Sequence, residues 1–278
     1  MTDSAPRARK FPLRLDALTP ANAVRRAAVP ARMPSSTSSR TPAPAPRPLA
    51  PSGLGLDSAD VRRRMALRLR AAGVHHERVI EAMARVPRHL FVDAALVTQA
   101  YEDTSLPIGH GQTISKPSVV ARMIELLFGG ANAKASTHPS GPLGRVLEIG
   151  TGCGYQAAVL ASLARHVVSV ERLRPLHDKA RELLAPLRPA HLRLVYGDGM
   201  LGHPPNAPYD GIIAAAGGDD VPSAWLDQLA VGGRLVAPMR APASQRQTLV
   251  VVDRTERGFE RAVLEAVHFV PLKSGLVD

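Results

Sequence analysis

The stretch Val146-Leu-Glu-Ile-Gly-Thr-Gly-Cys-Gly-Tyr155 restricts the fold more than any other part of the chain. Val146, Leu147 and Ile149 form the apolar run of a parallel strand covered on both faces. Glycines follow at 150, 152 and 154, and residues 156–164, rich in Ala and Leu without Gly or Pro, predict a helix. Strand, glycine turn and helix in this order are the opening βα unit of a nucleotide-binding α/β domain. Glycine permits positive φ and close approach of a ligand to the backbone. The helix start behind the turn presents unpaired N–H groups and partial positive charge, which suits an anionic group. The next predicted strand, 167–170, leads into Glu171, about 20 residues past the turn, where a carboxylate can accept from both ribose hydroxyls.

The glycine spacing narrows the ligand. A dinucleotide pyrophosphate favours G-x-G-x-x-G, and Tyr155 stands where that fingerprint has its third glycine. The form found here, E-x-G-x-G-x-G, resembles motif I of S-adenosylmethionine-dependent methyltransferases. That spacing, and the lack of a hydride-transfer constellation, count against a nicotinamide-dependent dehydrogenase.

A net charge of +11 over 278 residues would ordinarily suggest nucleic acid, but its distribution argues otherwise. Residues 1–56 hold nine Lys/Arg and two Asp/Glu, a net of +7; residues 57–278 hold 26 and 22, a net of +4. Aromatic residues are 4% of the chain, thin for base stacking, so no specific nucleic-acid partner is expected. A single cysteine, Cys153, excludes an internal disulfide and a cysteine-rich metal site, and its place in the glycine turn marks it as a small residue rather than a nucleophile. No apolar run is long enough for a membrane span, and no secretory h-region is evident near residue 1. A cytoplasmic, monomeric protein with no membrane partner and no metal is expected.

Ten of the 25 prolines fall within residues 1–56, amid Ser, Thr, Ala and Arg, and this composition predicts a disordered tail. Its Arg-rich, acid-poor character also resembles an organellar transit peptide, but without an amphipathic period. Folded structure is expected over 57–278 as a single domain, with helices at 61–72 and 77–86. The His75–His76 pair, with no third ligand nearby, is expected to be solvated. Residues 101–118 read as a polar loop with room for short extended pieces, before a helix over 118–127, and long structured loops tend to be functional. Beyond a small-residue spacer at 129–144 come the cofactor strand and then a helix at 174–187, a strand at 192–196, the turn Gly197-Asp-Gly199, and a strand at 209–216. A helix at 221–230 carrying Trp225 on its packing face, a turn at 231–233, a strand at 234–237 and an antiparallel pair at 248–252 and 263–270 complete the sheet. Asp198 lies at the carboxyl edge, where ligands sit in open α/β sheets, and could accept from an adenine amino group or be a plain turn residue.

Five marks, Leu106-Pro-Ile-Gly-His-Gly-Gln-Thr-Ile-Ser-Lys-Pro117, the 146–155 string, Ser169-Val-Glu-Arg172, Gly197-Asp-Gly199 and Val267-His-Phe-Val-Pro-Leu272, together resemble the protein-L-isoaspartate (D-aspartate) O-methyltransferase family. The likeness runs from about residue 61 to the end. It implies an α/β, doubly wound Rossmann-like methyltransferase sheet, mostly parallel with an antiparallel C-terminal edge and helices on both faces. Within it, residues 57–145 would supply the N-terminal helices and substrate loop and 146–278 the cofactor core and C-terminal strands. The implied reaction methylates isoaspartyl proteins and peptides from S-adenosyl-L-methionine. By position, Ser115 would be the active-site hydroxyl, and Gln112, Thr113, Ile114 and Ser115 would line cofactor and substrate. Glu148, Gly150, Thr151, Gly152, Glu171, Asp198 and Gly199 would hold the cofactor. Two departures from the family pattern are Lys116, where smaller or uncharged residues are usual, and Gly217-Gly-Asp-Asp220 in place of an apolar or Pro-containing turn. A nucleic-acid or small-molecule methyltransferase is the alternative reading.

Overall fold

In chain order, two amphipathic helices open the folded region, α1 (Ala59–Ala71) and α2 (Glu77–Arg85). Val79, Ile80 and Met83 recur at helical spacing in α2 and are buried together. The chain here is a computed structural model that describes residues 59–240 and 246–278; the expected tail over 1–56 lies outside the described residues. Two units are distinguished, Met1–Pro48 and Leu49–Asp278, and every described residue belongs to the second.

The 101–118 stretch is more ordered than a loop. It folds into a hairpin of β1 (Leu106–Gly109) and β2 (Gln112–Ile114), with Leu106 opposite Ile114. His110 and its flanking glycines all have positive φ, which lets a two-residue connection reverse the chain. Helix α3 (Pro117–Leu127) follows with Pro117 in its first turn, where the missing N–H costs nothing, and Asp103 reaches across to accept from Ser118 N and Oγ. The 129–144 spacer contains one short helix, α4 (Ala131–Ala135).

The core then alternates: β3 (Arg145–Ile149), α5 (Tyr155–Ala161), β4 (His166–Glu171), α6 (Arg174–Leu184), β5 (Leu192–Tyr196), β6 (Tyr209–Ala214), α7 (Ser223–Gln228) and β7 (Leu229–Arg240). Two further strands, β8 (Gln247–Thr255) and β9 (Gly258–Val267), close a seven-stranded sheet of order β5-β4-β3-β6-β7-β8-β9. The strands from β5 to β7 pair in parallel, whereas β7, β8 and β9 pair antiparallel. The expected α/β sheet with an antiparallel C-terminal edge is therefore present. Strand pleat explains the continuous apolar runs. Val146, Val167 and Ile213 pack with α2, α3, α5 and α6 on one face. Leu147, Ile149, Val168, Val170, Ile212 and Ala214 pack around Trp225 of α7 on the other.

Element ends differ from the sequence expectations in several places; the last strand, expected over 263–270, runs from Gly258 to Val267, because its hairpin with β8 starts right at the Arg257–Gly258 turn. Helix α5 stops at Ala161 because Leu163 and Ala164 leave it to bond the Pro142–Leu143 segment. The helix expected over 221–230 is only α7, and the turn expected at 231–233 is absorbed into β7. Gly232, at φ 78, makes an irregularity there, so that the register jumps between Tyr209 and Gly211 of β6. His76 is not solvated: its ring stacks on Phe128 at 3.8 Å, and the backbone N–H groups of His75 and His76 both donate to Glu125.

The sheet reverses its order at β3. The chain runs outward through β4 to β5 and then returns to β6 on the other side of β3. The crevice outside the carboxyl ends of β3 and β6 is where an open α/β sheet places its ligand.

Candidate active site

A cavity of about 230 Å³ occupies that crevice. Its floor is the turn after β3, where Gly150, Gly152 and Gly154 have φ of 88, 55 and 91, values that strain any residue with a Cβ. A Cβ on Gly154 would also stand 2.8 Å from Leu184 Cδ1. Nine of the eleven positions expected at the site meet around this cavity: Gln112, Thr113, Ile114 and Ser115 from the hairpin, Gly150, Thr151 and Gly152 from the turn, and Glu171 and Gly199 from the strand ends. Glu148 and Asp198 complete the set without lining the cavity.

Glu171 braces the turn. Its Oε2 accepts from Gly152 N and its Oε1 from Leu173 N, both at 2.9 Å. Each carboxylate oxygen keeps further lone-pair capacity toward the cavity. The other turn donors are also engaged within the protein, because Gly150 N and Thr151 N donate to Val170 O and Gly154 N donates to Thr151 O. At these four positions of the turn the backbone donors are thus already engaged. A pyrophosphate would need such donors. A nucleoside cofactor without phosphate does not, so the residues present fit S-adenosylmethionine better than a dinucleotide.

The strand pleat turns Glu148 away from the cavity, toward the face that carries Val146 and α5. There it is buried, with Oε1 accepting from Gln156 Nε2 at 3.0 Å and Oε2 hydrogen-bonded to Ser169 Oγ. Burial pushes its carboxyl up to about 8, against the opposing hydrogen bonds from Ser169 and Gln156 and with a smaller push from the charge of Glu171. Ser169 Oγ lies 2.6 Å from Thr151 Oγ1, so the carboxyl is linked through two hydroxyls to the cavity wall. Asp198 is held by its own neighbours: Oδ1 accepts from Met200 N at 2.9 Å and Oδ2 from Gly275 N at 2.6 Å. Cys153 is buried, and burial pushes its thiol up, which makes it a poor nucleophile.

Several wall residues were not among the site residues expected from the sequence. The segment 270–273 covers one side of the cavity, pinned by Leu272 N to Gly217 O and by Gly217 N to Val270 O. Further along, Arg172 Nε donates to Gly275 O and Arg174 N to Val277 O, which straps the chain across the rim. Arg88 was also missed. It is buried, with Nε donating to Ala100 O at 2.8 Å and Nη2 to Ser115 O at 2.7 Å, and its guanidinium lies 4.7 Å from the Tyr155 ring centre. Nη1 has no hydrogen-bond partner among the described residues. A buried cation in this state fixes the backbone of Ser115 against the helix that begins at Tyr155.

Ser115 also lines a second, larger cavity of about 810 Å³, a groove between the hairpin and the β7–β9 edge. Ser115 and Pro271 are the residues common to both cavities.

Comparison with known proteins agrees with this geometry. The profile of the protein-L-isoaspartate(D-aspartate) O-methyltransferase (PCMT) family matches residues 61–276. A protein-L-isoaspartate O-methyltransferase of Methylibium petroleiphilum is 62% identical over 267 residues, covering 96% of each chain. One of Leptothrix cholodnii is 58% identical over 284 residues, covering 98% of this chain and 96% of the relative. A solved protein-L-isoaspartate O-methyltransferase superposes with a TM-score of 0.67 at 29% identity, over 77% of this chain and 67% of that one. In fold alone, a Plasmodium falciparum protein titled as a β-aspartate methyltransferase, solved with S-adenosyl-L-homocysteine, matches at a TM-score of 0.65 and 22% identity over 76% and 98% of the two chains. With the family profile matching residues 61–276 and relatives 58–62% identical over nearly the whole chain, the chain belongs to the protein-L-isoaspartate(D-aspartate) O-methyltransferase family.

Proposed function

We propose that this protein transfers the methyl group of S-adenosylmethionine to the α-carboxylate of L-isoaspartyl and D-aspartyl residues in damaged proteins, with Ser115 orienting the carboxylate. The observation that carries the reading is the position of Ser115 in the wall between the two cavities. One cavity has the glycine floor and acidic brace of a nucleoside pocket, and the other is an open groove that a peptide can enter.

The chemistry needs little from the protein beyond placement. When bound, the cofactor supplies an electrophilic methyl carbon on a sulfonium. A carboxylate has an unperturbed pKa of about 4, so at neutral pH the attacking group is already ionised and no general base is required. Its oxygen bonds to the methyl carbon as the carbon–sulfur bond breaks, and that electron pair remains on sulfur, leaving a thioether. Ser115 Oγ can donate one hydrogen bond to the second carboxylate oxygen without neutralising the nucleophile. Arg88 holds the Ser115 carbonyl in place, and the apolar parts of the wall exclude water from the attacking oxygen. Methoxide leaves the ester carbonyl where oxide would not leave a carboxylate, so the neighbouring backbone nitrogen attacks that carbonyl, loses its proton and closes a succinimide with release of methanol. Hydrolysis of the ring returns some normal aspartyl linkage.

Glu171 and the turn are placed as the cofactor clamp, and Glu148 as a buried support of the turn rather than a contact. We also place the protein in the cytoplasm as a monomer, with residues 57–278 forming one methyltransferase domain; among the described residues no helix is long and apolar enough to cross a membrane.

Incubation with methyl-labelled cofactor and paired peptides differing only in Asp or isoAsp tests the activity. Label is expected on the isoaspartyl peptide alone, and mild base should release it as methanol. Label that resists base would mean a different acceptor atom. Ser115→Ala is expected to lower kcat about 10- to 100-fold, the worth of one hydrogen bond to a charged group, with cofactor Kd changed less than about twofold. Equal loss of both would reassign Ser115 to structure.

A further inference from the structure

We propose that the groove beside Ser115 selects isoaspartyl segments carrying additional acidic side chains, with Lys116 as the specificity-determining cation. This rests on the functional reading above and adds the charge class of the peptide.

The side chains around the groove make the case. Lys116, Arg240, Arg246 and His268 line it, and among the described residues no Asp or Glu does. The remaining wall is neutral, with Gln247 and Ser105 as polar members and Val119 and Phe269 as apolar ones. Carboxylates of adjoining segments are engaged outside it. Asp103 caps α3 through Ser118, and Asp219, mostly exposed, pairs with Arg240 at 3.0 Å. The Arg240 charge is thus partly compensated, which leaves Lys116 as the cation nearest in sequence to the reacting position. Lys116 is exposed at the N-cap of α3, and the extended backbone forced on it by Pro117 turns the chain from Ser115 into the helix. The isoaspartyl carboxylate brings one negative charge to Ser115. A second acidic side chain one or two positions away would lie in the field of the same lysine, whereas a basic one would be repelled.

The size of the effect follows from exposure. Exposed ion pairs are worth about 0.2–1 kcal/mol each, so one or two of them amount to roughly a threefold to tenfold preference. Such charges act on encounter and binding rather than on the bond-making step, and salt screens them over about 8–10 Å.

The experiment measures kcat/KM at low salt for two isoaspartyl peptides of equal length, one with Glu and one with Lys flanking the isoaspartyl residue. The expected result is a threefold to tenfold preference for the Glu-flanked peptide, expressed in KM, shrinking toward one near 0.5 M salt. In Lys116→Glu the ratio should fall to one or below, and in Lys116→Gln to an intermediate value, with near-UV circular dichroism and cofactor Kd reporting that each variant is folded. A wild-type ratio near one, or a preference that both variants keep, overturns the proposal while leaving isoaspartyl methylation intact. No ester on either peptide would overturn both.

Discussion

Alanine at Glu171 is expected to raise the Kd for S-adenosylmethionine by about two to three orders of magnitude while the protein stays folded. This carboxylate does two jobs at once. It accepts from Gly152 N and Leu173 N, locking the glycine turn to the end of β4, and it presents its remaining lone pairs to the cavity. Removing it frees two backbone donors near the ligand and withdraws the acceptor proposed for the ribose hydroxyls. Hydrogen bonds to a charged group contribute about 1.5–3 kcal/mol each, so losing one or two from the ligand alone corresponds to roughly 10²- to 10³-fold in affinity. Glu171→Gln keeps one acceptor oxygen and should fall between. Calorimetric titration with the cofactor and its demethylated product reads the effect. A change of less than about threefold in Glu171→Ala would remove Glu171 from the clamp.

The second large effect is on stability and depends on pH. The carboxyl of Glu148 is pushed up to about 8 in the folded protein, mainly by burial, against an ordinary value of 4.5. Between these values the native state holds a proton that the unfolded chain has released, so the unfolded state binds fewer protons and stability falls as pH rises. The contribution is fully present below about 4.5, is lost through the window up to about 8, and changes no further above it. One pKa unit is worth about 1.4 kcal/mol, so this group alone should cost on the order of 3 kcal/mol between about pH 5 and pH 8. Glutamine mimics the protonated acid: its amide can donate to Ser169 Oγ and its oxygen can accept from Gln156. The stability gap between Glu148→Gln and wild type, measured by urea unfolding, should therefore widen in favour of the variant across that window and then stop. A gap that stays constant would show that Glu148 is ionised in the folded state at neutral pH.

Why some of this was legible in the sequence follows from which features are local. Strands β3, β4 and β6 declare themselves because both of their faces are covered, so Val146, Leu147, Val167 and Val168 all have to be apolar. The turn glycines declare themselves because their φ values exclude side chains. Ser115 and Glu171 line the cavity, each at a fixed offset from such a landmark. Glu148 does not, because a motif gives spacing along the chain and the pleat decides which face receives each residue. Asp198 was read as a candidate ligand contact or a plain turn residue, and its Oδ2 accepts from Gly275 N, 77 residues away, a meeting that no window of sequence displays. Arg88 is the same case. Its partners, Ala100 and Ser115, lie in separate segments, and in the sequence it is simply the next arginine after the several on α1 and α2.

The strap over the cavity rim has a practical consequence. Gly275 and Val277 are tied to Asp198 and to Arg172 and Arg174, so residues 275–277 lie along the lip of the cavity rather than on a remote face. A protease cutting just before Gly275 would release that lip, and bound ligand that holds the pocket together should slow the cut.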